Sequence, residues 1–105
     1  MLDKLLQRLG RTSRDLAVNA RVRPARDVFM AERDGVAVLL DLRHAVYLGL
    51  DEVGTLAWRE IENGASADAV AQRVCDAYDA PLPAVREDMK QFVADLRRRR
   101  LVVRA

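Results

Sequence analysis

The sequence predicts an α+β domain in which a three-stranded antiparallel sheet is followed by three helices, a winged-helix-like order with the sheet moved to the N-terminus. Three observations predict it. Apolar runs separated by turn residues occupy 28–50. Apolar residues at helical spacing, in series opened by capping signals, occupy 51–100. A chain of 105 residues, 50% hydrophobic, provides for one modest core.

The chain divides at residue 27 in this reading. Residues 1–27 are an amphipathic helix and a basic linker, and 28–105 are the domain. Leu2, Leu5, Leu6 and Leu9 recur at i, i+3, i+4 and i+7, and Gly10 stops the pattern. So short a helix needs a surface to rest on: its own domain, a second copy in a homodimer, or an enzyme. Arg11, Arg14, Arg21, Arg23 and Arg26 follow with little periodicity, and Pro24 removes a backbone donor, so 11–27 reads as a tether.

Val28–Arg33 is the first strand, and Asp34-Gly35 is a two-residue hairpin signal. Residues 36–42 form the second strand. Val36, Val38 and Leu40 lie on one face and Ala37, Leu39 and Asp41 on the other; both faces are largely apolar, which marks the central strand. Arg43-His44 is the next turn. In the third strand, 45–50, Val46, Leu48 and Leu50 share one face while Ala45, Tyr47 and Gly49 share the other. No later strand of similar strength is present to pair with it. It also carries neither Lys nor Pro, the usual guards of an exposed edge.

Asp51 caps the first helix of the domain, which buries Val53, Ala57, Trp58 and Ile61 and ends at Gly64. Ser66 caps a second helix with an inner stripe of Ala67, Val70, Ala71, Val74 and Tyr78. Pro81 and Pro83 open a third, whose inner face is Val85, Met89, Phe92 and Leu96. It runs out in four arginines, 97–100, where cations suit the helix C-terminus. Leu101-Val102-Val103 is a short terminal strand or tail.

The nominal charge of +2 is unevenly spread. Residues 1–27 hold seven Lys/Arg against three Asp, residues 97–105 hold five Arg, and the middle holds six Lys/Arg against thirteen Asp/Glu. The basic balance belongs to the ends, which weakens a nucleic-acid reading. One cysteine, Cys75, cannot form an internal disulfide and fits a reducing cytoplasm. No apolar run approaches the roughly 20 residues of a membrane span, and the start is not a signal peptide.

No catalytic constellation is legible. His44 reads as a solvated turn residue, and Cys75 as packing of the second helix. Glu87 and Asp88 are adjacent and point different ways. There is no metal-ligand spacing and no phosphate-binding glycine loop. Trp58 and Phe92 read as core. No enzyme activity, metal or cofactor is expected.

From Val38 onward, VLLDLRHAVYLGLDEVGTLAWREIENG is followed by SADAVAQRVCDAYDAP and then DMKQFVADLRRRRLV. In order and spacing this resembles the PqqD-like family, also called RiPP recognition elements. The matching positions are Tyr47, Leu50-Asp51, Gly54 with Trp58, Tyr78-Asp79, Asp88 with Phe92 and Leu96, and Leu101-Val102. The resemblance covers about 28–103. Two positions depart from it: Ala45 and Arg100 stand where the family often has glycine.

The resemblance implies that the protein binds the leader region of a ribosomally made precursor peptide and presents it to a maturation enzyme of radical-SAM, protease or cyclase type. The leader would add as a strand to Ala45, Val46, Tyr47, Leu48, Gly49 and Leu50. The groove wall would be Arg86, Met89, Lys90, Val93 and Arg97 on the third helix, with Arg86, Lys90 and Arg97 meeting acidic leader residues. Two other readings stay open. A winged-helix nucleic-acid binder would read a groove with the third helix, against the charges of Glu87, Asp88 and Asp95. A structural subunit of an enzyme complex would be held by the 1–10 helix and lost on deleting 1–27.

Overall fold

The computed structural model describes residues 21–105. The 1–10 helix, the tether up to residue 20 and any homodimer formed through them lie outside the described residues. Eight elements follow: β1 Val22–Pro24, β2 Val28–Arg33, β3 Val36–Asp41, β4 Val46–Leu50, α1 Glu52–Glu62, α2 Ala67–Tyr78, α3 Leu82–Arg98 and β5 Val102–Arg104. The expected order of three strands and three helices is present, with β3 central in the sheet β2-β3-β4.

The domain begins earlier than residue 28. β1, read from the sequence as part of the tether, pairs antiparallel with β5, Val22 opposite Arg104 and Pro24 opposite Val102. Val22 is buried with Leu101 and Val102. A three-residue strand containing Arg and Pro shows no periodicity, and its reason to exist is a partner about eighty residues away.

The Asp34-Gly35 loop has positive φ at both residues, 56° and 80°, as a type I′ hairpin requires. Ala37, Leu39 and Asp41 turn to the helices and are buried, whereas Val36 is exposed and Val38 and Leu40 are half-buried. The sheet is therefore covered on one face only. Phe29, Leu40 and Tyr47 form a cross-strand row on the other.

The helices start as their caps dictate. Asp51 Oδ1 accepts from the Gly54 N–H at 2.8 Å, and Ser66 Oγ accepts from the Ala69 N–H at 3.1 Å. Gly54 belongs to the cap: a Cβ there would stand 3.3 Å from both Asp51 Oδ1 and Leu50 Cβ. Trp58, Ile61, Val70, Met89, Phe92 and Leu96 fill the core between helices and sheet. Val53 is only partly buried, and Tyr78, expected on the inner stripe of α2, is exposed at its end, where Asp79 turns left-handed and closes the helix. Thr55, unremarkable in the sequence, is buried, and its hydroxyl accepts the Ala37 N–H at 3.1 Å, tying α1 to β3.

The two departures from the family glycines are resolved by backbone geometry. Ala45 has φ 56° and Arg100 has φ 63°. Both keep the left-handed conformation that glycine adopts without a Cβ penalty, so the frame is conserved at a cost in strain. Ala45→Gly and Arg100→Gly should each stabilise the domain by about 1 kcal/mol, read as a higher urea midpoint with an unchanged slope.

Candidate functional site

The β3–β4 connection sets the site's geometry. Asp41 pairs with Val46, so Leu42, Arg43, His44 and Ala45 all belong to the loop. Ala45 is thus a turn residue and not the first residue of the strand, because its left-handed φ cannot continue a pleat. Asp41 organises the loop. Its Oδ1 accepts from the backbone N–H groups of Arg43, at 3.0 Å, and His44, at 3.3 Å. Its Oδ2 accepts from His44 Nδ1 at 2.7 Å. His44 is half exposed, yet it is bonded into the turn and not merely solvated.

The His44 hydrogen bond, helped by the backbone amides and opposed by burial, lowers the Asp41 pKa below its ordinary value. Its contribution to stability is therefore complete above the unfolded-chain value of about 3.9 and is lost as pH falls through the depressed folded value. Asp41→Asn should remove that segment of the acid-unfolding curve while leaving the slope above pH 5 unchanged, as followed by circular dichroism.

The phase of the sheet's hydrogen bonds identifies the open groups of β4. The Leu42 N–H donates to the Asp27 carbonyl at 3.0 Å, so even-numbered residues of β3 face β2. Backbone groups alternate sides along an antiparallel strand, so Ala37, Leu39 and Asp41 face β4. Their partners Leu50, Leu48 and Val46 face back toward β3. Tyr47 and Gly49 are left presenting their N–H and C=O outward, with no strand beyond them among the described residues. Of the strand positions expected to bind, these two have their backbone groups turned outward. Leu48 and Leu50 point to the core, and Val46 and the Tyr47 side chain are exposed. The opposite edge, β2, is guarded by the Glu32–Arg59 ion pair.

The expected wall on α3 divides. Met89 and Val93 are 0% and 2% exposed and belong to the core; Met89 thus keeps its inner-face position, and the placement of both on the groove surface is corrected. The helix is buried on a wide arc that takes in these positions beside Val85, Phe92 and Leu96. Arg86 is engaged by α2: its Nε donates to Asp68 Oδ1 at 2.6 Å. Lys90 is partly buried and lies 3.6 Å from Glu87. Arg97 faces a cavity of about 390 Å³ that it shares with Arg43 and His44 of the β3–β4 loop. This cavity brings the C-terminal end of α3 to the Val46 end of the open strand.

Asp95 is fully buried, and its two oxygens accept from Arg98, at 3.1 Å, and Arg99, at 3.0 Å. It is not a surface charge of α3, a correction to the expectation that it would repel phosphates there. The four consecutive arginines are split by this clamp: two are spent on Asp95, and Arg97 and Arg100 face the cavity. Among the described residues no helix is long and apolar enough to cross a membrane, and no group of three or more His, Cys, Asp or Glu is placed to hold a metal ion.

A small three-stranded sheet, with one edge open among the described residues and three helices behind it in winged-helix order, defines a class of α+β domains. Within that class the chain belongs to the PqqD family: residues 37–102 match the family model described as coenzyme PQQ synthesis protein D. Solved structures agree. The chain is similar to TbiB1 in complex with the TbiA(beta) leader peptide, with 30% identity, a TM-score of 0.72, and coverage of 76% of this chain and 93% of that one. It is similar to lasso peptide synthetase B1 complexed with the leader peptide at 25% identity and TM-score 0.73, covering 80% and 99%. The PqqD truncation of Methylobacterium extorquens PqqCD shares the fold at 20% identity and TM-score 0.66, covering 85% and 100%. No curated protein matches the chain in sequence.

Proposed function

We propose that the protein captures the leader region of a ribosomally synthesised precursor peptide as an added strand on β4 and presents it to a separate maturation enzyme. The observation that carries this reading is the outward pair of backbone groups at Tyr47 and Gly49, on a strand without Lys or Pro. The leader takes up these donors and acceptors. The exposed shoulder of α3, with Lys90 and Arg97 at its surface, flanks it, while Met89 and Val93 hold that shoulder in place from beneath. The similar proteins TbiB1 and lasso peptide synthetase B1 are both described in complex with leader peptides, which supports the same ligand class here. The maturation enzyme is of radical-SAM, protease or cyclase type. A cytoplasmic setting suits the lone buried Cys75.

The test is titration of the purified protein with fluorescently labelled leader peptides from short reading frames encoded beside its gene, read by anisotropy. Saturable binding by one of them, retained after removal of residues 1–20, is the expected result. The truncation stops at residue 20 because β1 is part of the domain. No binding by any such peptide overturns the proposal. Loss of an enzyme complex, with peptide affinity absent throughout, favours a structural subunit.

A further inference from the structure

The cavity at the end of the sheet has a charge pattern that the pairing of β4 with a peptide does not use. Arg26, Arg43, Arg97, Arg100 and Arg104 line it, together with His44 and Asp41. Arg59, Arg73, Arg86, Arg98 and Arg99 each have a carboxylate within ion-pair distance. In the cavity, Arg26 lies 3.9 Å from Asp27, and among the described residues the other four arginines have no carboxylate at ion-pair distance. Asp41 forms no ion pair with them, since its oxygens accept from Arg43 N–H, His44 N–H and His44 Nδ1 inside the turn, and its single negative charge leaves the cavity net positive. Four guanidinium groups held around one concavity by three separate segments repel one another, and they focus a positive potential within it.

Arg100 adds an independent sign. It holds a left-handed φ of 63°, where glycine would be relaxed, and it lines the cavity. Backbone strain kept beside a concave site points to use of the side chain. The neighbouring Asp95 clamp removes Arg98 and Arg99 from competition and fixes the end of α3, so that Arg97 and Arg100 are the members left open.

We infer that this cavity is a carboxylate-recognition pocket for an acidic side chain of the bound leader peptide, placed just beyond the segment that pairs with Tyr47 and Gly49. The inference rests on the leader-binding reading and deepens it. The pocket adjoins the Val46 end of β4 through Arg43 and His44, so a strand laid along the edge and continued past Val46 enters it. Guanidinium groups receive a carboxylate through paired N–H donors, which makes the contact a register mark as well as an attraction. Backbone pairing alone fixes no register along the edge, and a single acid seated in this pocket does. The volume admits one or two side chains and no duplex.

The experiment is a peptide scan crossed with two protein variants. Each Asp and Glu of a leader peptide that binds is replaced in turn by Asn or Gln, and affinities are measured for the wild type, Arg97→Gln and Arg100→Gly. One amide substitution should weaken wild-type binding about tenfold. The arginine variants should lose a similar factor with the native peptide and become insensitive to that same substitution. Arg100→Gly is compatible with the local backbone, so it keeps the test independent of folding. Equal selectivity in wild type and variants overturns the inference and leaves leader binding standing. Binding that ignores every acidic residue does the same. A salt-sensitive shift with duplex DNA that both arginine variants abolish overturns it in favour of nucleic acid. No binding of any peptide by the wild type overturns the leader reading and this pocket with it.

Discussion

Trp58→Ala should destabilise the domain by about 3–5 kcal/mol, the largest effect of any single substitution considered. Trp58 is fully buried at the centre of α1, and its indole N–H donates to Glu62 at 3.0 Å. Truncation removes roughly 150–250 Å² of buried aromatic surface and leaves a cavity bounded by a well-packed helix layer. Domains of this size hold only about 5–15 kcal/mol in total, so the variant sits at the edge of folding. The loss should appear as a large fall in the urea midpoint. The transition must be followed by circular dichroism, because Trp58 is the single tryptophan. A shift under 1 kcal/mol would mean that the helix layer closes over the gap, contrary to the packing described.

Gly49→Pro should weaken leader binding by about 10- to 100-fold while leaving the fold intact. Its N–H points away from β3, so proline there costs no existing ladder bond. It does remove a donor that the incoming strand needs. Leaving a buried carbonyl of the peptide without its partner costs about 1–3 kcal/mol, which is that range of affinity. Leu48→Pro provides the contrast. Leu48 faces Leu39 across the sheet, so this variant breaks the ladder and should unfold β4. Equal, undiminished affinity in Gly49→Pro would place the peptide elsewhere on the molecule.

The two substitutions separate what holds the domain from what it offers. Trp58, with Phe92 and Leu96, belongs to the helix layer that covers one face of the sheet. Beyond its chain neighbours, Gly49 has no atom within 4 Å of where a Cβ would stand, so the outer face of the sheet is open beside this edge. The Asp41 turn joins these roles, because the carboxylate that closes the β3–β4 loop also positions Arg43 and His44 at the mouth of the arginine cavity.

The local code determined a great deal by itself. Asp34-Gly35, Asp51, Ser66 and the proline at 83 each name a conformation through their own side chain or ring, and each element begins or turns where they say. Helical spacing likewise selected Trp58, Ile61, Val70, Phe92 and Leu96 as core, since a single buried face imposes its period on the residues that meet it. Tertiary structure alone decided the rest. β1 exists because β5 returns beside it. Val93 went inward because α3 is covered over a wider arc than its apolar stripe of Val85, Met89, Phe92 and Leu96 indicates. The arginines at 97–100 were divided by the burial of Asp95, and those at 43 and 104 joined them from distant segments. Charges written far apart in sequence have no mutual energy until the fold fixes their separation, so the cavity they form was invisible until the chain was closed.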